Sequence, residues 1–351
     1  MTEITSNRKF ILFVLLVILL PVFFILNLTT GVVELSPTTI WKVLFRNDQS
    51  DILAYNVVFN IRLPQTITAL LAGIGLSIGG LQMQTLFRNP LAEPSILGIS
   101  SGASLGVALL TLASGSLLGV PSKLGNFSDI SLSLAAFTGA IGTLMIILGF
   151  STLVRNHVSL LITGLMLGYL ISALVGVLQF FSYKDELQAY VMWGFGNFSG
   201  VGWRRLPLFT ILILAGTLFS FILVKPMNGW LLGENYAKNL GVNIPVTRLG
   251  LILCTGLLTA VVTAFTGPIA FIGLAVPHLC RGLFRTWDHK ALMPAVILTG
   301  SILALVCNLI VRLPWFDNAL PVNAVTAIIG APVVIWVIIR QKSLTSSNVT
   351  D

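Results

Sequence analysis

The sequence predicts an all-α integral membrane protein. Hydrophobic residues make up 56% of the 351 residues and charged residues only 9%, with a mean hydropathy of +0.95. No soluble domain of this length carries so little charge. Apolar runs of bilayer-spanning length recur along the whole chain, and all 12 Asp and Glu residues fall between them or at their ends.

Taken in order, the runs near 10–28, 61–84, 95–118, 131–153, 158–181, 206–224, 249–266, 269–286, 291–311 and 322–340 predict ten transmembrane helices. The first lacks a small-residue cleavage site and reads as a retained span, not a signal peptide. The stretch 249–286 carries no charge before Arg281 and is twice the length of one span, so it must turn, with Gly267-Pro268 as the corner. Asn89-Pro90-Leu91-Ala92 and Gly267-Pro268-Ile269-Ala270 echo one another from opposite faces, as in an inverted repeat. Ten crossings put both termini on one side. That side collects 12 of the 20 Lys and Arg residues, which orients the termini to the cytoplasm. The net charge of +8 is then a topology signal, and no nucleic-acid partner is expected. The 32 glycines suit close helix packing in lipid, and Cys254, Cys280 and Cys307 read as small core residues.

Residues 1–351 read as a single polytopic domain with one polar island, 225–248. Within it WLLGENYAKNLGVNIP predicts a short helix with a designed stop. Tyr236 and Leu240 share one face, Gly241 ends the helix in a left-handed cap, and Asn243 with Pro245 starts a second helical turn. Such an island in a lipid-soluble chain marks a docking surface.

The sequence shows no G-x-x-x-x-G-K-[ST] loop for ATP, no nucleophile constellation and no HExxH spacing among His157, His278 and His289. Neither an enzyme nor a bound metal or cofactor is indicated. His278, following Pro277, reads as a hydrogen-bonding residue at a helix end. With no carboxylate expected at membrane depth, a self-powered secondary carrier is the second reading and a membrane-embedded transferase the third. A transport pathway powered by another subunit is the first.

Four ordered segments resemble a known family: Ile61 to Gly106 (IRLPQTITALLAGIGLSIGGLQMQTLFRNPLAEPSILGISSGASLG), 191–203, 231–281 and 320–338. They are similar to the permease subunits of FecCD-type bacterial ABC importers for iron-siderophores, haem and cobalamin. The resemblance implies a type II importer permease in the bacterial inner membrane, with a second permease subunit, a homodimer being expected. Two cytoplasmic ATPase subunits and an extracytoplasmic substrate-binding protein complete the implied assembly. It implies an iron-siderophore as first choice of cargo, with haem or cobalamin next.

The same resemblance implies roles for particular residues. Leu232, Gly233, Glu234, Tyr236, Ala237, Lys238, Leu240 and Gly241 form the surface gripped by the ATPase, with Leu232, Tyr236, Ala237 and Leu240 entering its cleft and Glu234 paired to Lys238 as a polar rim. Arg62 and Arg312 stand where relatives meet acidic residues of the binding protein, while Gln65 replaces an arginine of many relatives. Headgroup anchoring is the plainer account of both arginines. Ser100, Ser101 and Gly102 are candidates for the pathway and Asn156 and His157 for the inner gate; helix packing and a polar turn are the plainer accounts.

Overall fold

The computed structural model describes residues 6–31, 33–46, 50–112, 129–154, 156–313 and 320–346. Every regular element among them is helical. Helix α1 (Ser6–Thr29) is followed by α2 (Pro37–Arg46) and by α3 (Ile52–Tyr55), which continues through a π-helical stretch, Asn56–Arg62, into α4 (Leu63–Leu86). A 3₁₀ turn, Pro94–Leu97, leads into α5 (Ile99–Thr111), and α6 (Asp129–Leu153), α7 (His157–Phe181) and α8 (Lys184–Gly194) follow. The remainder is α9 (Leu206–Leu231), α10 (Glu234–Asn239), α11 (Ile244–Thr266), α12 (Ile272–Phe284), α13 (His289–Val311) and α14 (Val322–Ser346).

Seven of these helices are long and apolar enough to cross a membrane, and three shorter apolar helices, Ile99–Thr111, Ile272–Phe284 and Val322–Ile335, accompany them. Helix α4 is the axis: 89% of its most apolar window is buried, against 22% for α7. Its small residues allow this. A Cβ on Gly73 would stand 2.3 Å from the Gly300 carbonyl oxygen of α13, and one on Gly80 would stand 1.7 Å from the Gly273 oxygen of α12. Backbones this close gain dispersion contacts that larger residues would forbid, which is how helices associate where the hydrophobic effect is absent. Cys254, Cys280 and Cys307 are free and buried in this packing, as core residues should be.

Two stretches expected as full spans hold shorter helices: α5, where 113–118 of the expected span lie outside the described residues, and α12. After α4 ends at Leu86 the chain turns back along it, and Pro94 packs against Gly79 and Gly273, about 10 Å inside the helix end. Gly98, left-handed at φ 74°, then redirects the chain into α5. On the other side Gly267 (φ 74°) turns the chain after α11, and α12 begins only at Ile272, level with Gly80. The two re-entrant segments thus enter from opposite ends and meet, as the echo between 89–92 and 267–270 suggested. Glu93 keeps its expected place in a loop, between α4 and the 3₁₀ turn, but this loop runs inside the bundle. Glu93 is carried inward with its segment, and its Oε1 accepts a hydrogen bond from the Phe271 amide at 2.9 Å.

The ends of the bundle are secured differently. At one end Arg62 and Arg312 converge on the C-terminus of α1, whose last carbonyls have no helical partner. Arg62 Nη1 donates to the carbonyls of Leu28 (2.9 Å) and Thr29 (3.0 Å) and its Nη2 to Val33; Arg312 donates to Asn27 (3.2 Å) and Thr30 (3.1 Å). Positive charge at a helix C-terminus is favourable in its own right. Burial, with the neighbouring Arg62 second, pulls Arg312 down to about 10. Arg62, expected at a docking face, is 2% exposed with its Nη donors on backbone carbonyls, whereas Arg312 is only partly buried. Gln65 belongs to the same knot, donating to Asn308 Oδ1 at 3.0 Å, while Asn308 donates to Asn27 at 2.8 Å. An arginine at 65 would add a third buried cation here.

Two stability predictions follow from this packing and from the capped end. Gly80→Ala should cost at least about 3 kcal/mol, because its methyl group collides with backbone, whereas Gly176→Ala, with nothing within 4 Å, should be silent in the same thermal unfolding assay in detergent. Arg62→Ala strands three carbonyls and should cost on the order of 3 kcal/mol. Arg62→Lys should recover only part of it, lacking the planar fork; an unchanged melting temperature for Arg62→Ala would return the residue to the surface.

Candidate functional site

At the end of the bundle opposite Arg62, α9 continues through Lys225 and Pro226 to Leu231. The polar island predicted at 225–248 is correspondingly shorter, with its connecting chain confined to 232–243. Gly233, at φ 102° and ψ 154°, makes the sharp turn into α10, a conformation open to glycine and costly to other residues. Six residues later the helix stops in a Schellman motif: Val242 N–H donates to the Ala237 carbonyl and Gly241 N–H to that of Lys238, both at 3.0 Å, with Gly241 at φ 81°. Asn243 Oδ1 then accepts from Val246 N–H at 3.2 Å, and Pro245 occupies the first turn of α11. The predicted stop and restart are both present. The second turn of helix, however, opens the long α11 and is no separate short helix.

The faces of α10 divide sharply. Leu232, Tyr236 and Leu240 project outward, 61%, 53% and 59% exposed, while Ala237 is fully buried. Ala237 packs toward Gly229 of α9 and supplies the carbonyl for the Schellman cap, so it anchors the helix and does not enter a partner's cleft. The expected Glu234–Lys238 rim is also corrected. Glu234 pairs with Arg248 of α11 at 3.3 Å, and Arg248 Nη1 donates to the Val154 carbonyl at the end of α6 at 3.0 Å; Lys238 is exposed. Short helical spacing favours the local pair, but the turn at Gly241 brings Arg248 against the N-terminus of α10, where it also reaches α6.

Beside this helix lies a notch of about 570 Å³ lined by Arg88, Leu232, Gly233, Glu234, Asn235, Tyr236 and Asn239. Sequence placed Arg88 only as a charge at the end of the second span, not among the residues of the ATPase surface. Its backbone is left-handed (φ 47°), which turns the chain out of α4 and sets the residue across from Gly233. An apolar knob ringed by a cation, a carboxylate and two amides has the composition of an anchor for a protein partner.

A second concavity, of about 350 Å³, lies between α5, α7 and α8. Ser100, Ser101 and Ser104 line it from α5, Ile171, Ser172, Val175 and Gln179 from α7, and Tyr190 from α8. Its polar lining is uncharged. The structure brings Ser100 and Ser101 to it but not Gly102, which faces the other way: a Cβ there would stand 2.0 Å from Thr143 Oγ1 and 2.6 Å from the Gly139 oxygen of α6. Ser172, Val175 and Gln179 recur on one helical face, a spacing that could have flagged them. Asn156 is remote from the concavity and caps α7, its Oδ1 accepting from Val158 N–H at 2.9 Å. The backbone of His157 opens α7, and its side chain lies outside the described residues. His278 Nε2 lies 2.6 Å from the Pro90 carbonyl, the hydrogen bond expected of it, but made from the middle of α12 and not from a helix end.

Known proteins share this architecture. The model of the FecCD transport family matches residues 18–340. The vitamin B12 import system permease protein BtuC of Citrobacter koseri is 38% identical over 289 residues, covering 81% of this chain and 83% of that protein. BtuC of Salmonella arizonae is 36% identical over 288 residues, with the same coverage. A solved structure described as an inward-facing conformation of a metal-chelate type ABC transporter superposes with a TM-score of 0.81 at 31% identity, covering 94% of this chain and 99% of that one. The chain is a transport component and not an enzyme, and it resides in the bacterial inner membrane. With its re-entrant half-helices, its knobbed notch and this family match, the chain belongs to the FecCD transport family of ABC importer permeases.

Proposed function

We propose that the chain crosses the membrane ten times with both termini in the cytoplasm, pairs with a second copy of itself, and moves a metal chelate inward. The observation that carries this reading is the exposed triad Leu232, Tyr236 and Leu240 on a helix locked at both ends. Three large apolar side chains held rigidly in water at a membrane surface are costly unless a partner covers them. A cytoplasmic ATPase subunit is that partner, with Gly233 and Gly241 shaping the helix it grips and Lys238 on its rim. The excess of Lys and Arg at this end agrees with its cytoplasmic placement.

The hydroxyl-lined concavity between α5, α7 and α8 is the pathway segment contributed by one subunit. Helix α7 leaves Tyr169, Leu170 and Phe180 more than half exposed, a surface suited to lipid or to the second copy. A substrate-binding protein meets the opposite face, whose backbone Arg62 and Arg312 hold in place. Asn156 and His157, at the start of α7, stand at the cytoplasmic mouth.

The cargo is read at the level of chemistry that the relatives share. Vitamin B12 is itself a metal chelate, and the solved neighbour is described as a metal-chelate transporter. The iron-siderophore expectation is thereby widened to metal chelates in general. A self-powered carrier finds less support, since Glu93 is engaged by a backbone amide and the family match points to an ATP-driven system.

Tyr236→Glu places a charge in the knob without touching the bundle. It should leave melting temperature and expression unchanged while abolishing copurification with the ATPase subunits; retained copurification would remove the knob from the interface. Reconstituted with its ATPase and binding protein, the chain should take up either radiolabelled cyanocobalamin or a radiolabelled ferric siderophore in an ATP-dependent, vanadate-sensitive manner. Uptake that persists without the ATPase subunits would favour the carrier.

A further inference from the structure

Glu93 has no part in the notch or the concavity, yet it joins the two re-entrant segments. Its carboxylate accepts the amide of Phe271 at 2.9 Å, immediately before α12. Phe271 is left-handed at φ 68°, a conformation strained for a bulky residue that persists only where its surroundings hold it. Those surroundings are specific. The neighbouring Ala270 amide donates to Asn323 Oδ1 of α14 at 3.1 Å, and the Phe271 side chain occupies the space left by Gly330, where a Cβ would stand 2.5 Å away.

From Glu93 the chain leads back to Arg88 in the notch, and the stretch between them is stiff. Asn89 Oδ1 accepts from Leu91 N–H at 2.9 Å and the Asn89 carbonyl from Ala92 N–H at 3.1 Å. Pro90 and Pro94 fix the backbone on either side of the turn, and His278 Nε2 donates to the Pro90 carbonyl. One end of this strut lies beside the α10 knob and the other grips the strained turn that enters from the opposite face. A stiff link passes displacement on, whereas a flexible one absorbs it.

We propose that Glu93 is a positioning residue that transmits movement at the α10 notch to the opposite re-entrant segment, 267–271, and so to α12 and α14. The proposal rests on the reading of the notch as the ATPase site. When the notch shifts, the Glu93 carboxylate carries the Phe271 amide with it. Relaxation of the left-handed turn then gives the segment a second resting arrangement. The two arrangements supply the bistable element that coupling between distant sites requires.

The test uses the full complex with its ATPase subunits in nanodiscs and a reporter thiol, Ala270→Cys, which keeps the backbone amide bonded to Asn323. The rate of labelling by a small maleimide is compared between nucleotide-free and ATP-vanadate-trapped complex, with ATP hydrolysis measured on the same sample. Ala270→Cys alone should change its labelling rate about fivefold or more on trapping, the lower bound of ordinary coupling. Adding Glu93→Ala should erase that change while hydrolysis continues. Glu93→Gln, which keeps an acceptor oxygen at the same reach, should preserve it, and Glu93→Asp, one methylene short, should lose it. Should the alanine variant fail to assemble, the Gln and Asp pair decides. A full response in Glu93→Asp or Glu93→Ala, or none in Ala270→Cys alone, overturns the proposal. Failure of the ATPase to bind or hydrolyse would instead overturn the reading of the notch.

Discussion

The contact on which the bundle depends is the one between the backbones of Gly80 and Gly273. With 1.7 Å between a would-be Cβ on Gly80 and the Gly273 oxygen, no other residue fits without parting α4 from α12. Their closeness forms the floor on which Pro94 sits, against Gly79 and Gly273 together. Because Pro94 is seated there, Glu93 can reach the Phe271 amide. Non-helical backbone at membrane depth is tolerable only where protein groups satisfy it. Here each re-entrant segment supplies what the other lacks: a carboxylate from one, an uncapped amide from the other. Separating the two glycines would expose both.

The two ends of the molecule then have different mechanical characters. Around α1 the guanidinium groups of Arg62 and Arg312 collect carbonyls from Asn27 to Val33, and the Gln65–Asn308–Asn27 chain ties α4, α13 and α1 together beneath them. Charge-assisted bonds in a low dielectric are stiff, and removing any one strands a buried partner. At the other end α10 is held by the Glu234–Arg248 ion pair, the buried Ala237 and a glycine cap, and its large side chains face water. The first arrangement resists motion. The second is built to receive it.

Much of this was legible in sequence because lipid imposes a simple rule on composition. Each apolar run contains a helix among the described residues, Gly267-Pro268 is a corner, and Gly241 and Asn243 stop and restart the chain where their chemistry requires. The half-helices were not legible. A run such as 269–286 is apolar whether it crosses the bilayer or enters halfway, and hydropathy does not distinguish the two. Arg62 and Arg312 read as surface residues because arginines at helix ends usually are; that they face the carbonyls of another helix depends on a packing partner distant in sequence. Glu234 was assigned to Lys238 by local spacing, and Arg248 won because the turn between them returns α11 to the N-terminus of α10. Ala237 offered a clue that local periodicity overrode: alone among the four apolar residues of the knob it is small, and small residues in such helices mark close packing.

The smallness of α10 is itself part of the mechanism. A helix of six residues is far below the length at which nucleation is recovered by propagation, so its hydrogen bonds alone cannot hold it. It exists because Ala237 is packed toward α9, Gly241 closes its end, and Glu234 is tied to Arg248, which in turn holds the last turn of α6 through the Val154 carbonyl. A force applied to Tyr236 or Leu240 therefore has few ways to be absorbed within the helix. To unravel α10 it would have to break contacts to α9 and α11 at once, and moving it as a body displaces those two helices and, through Arg248, the chain just after α6. A longer, self-sufficient helix could be pushed or bent without its neighbours responding. The dependence of α10 on those neighbours is what makes it a lever.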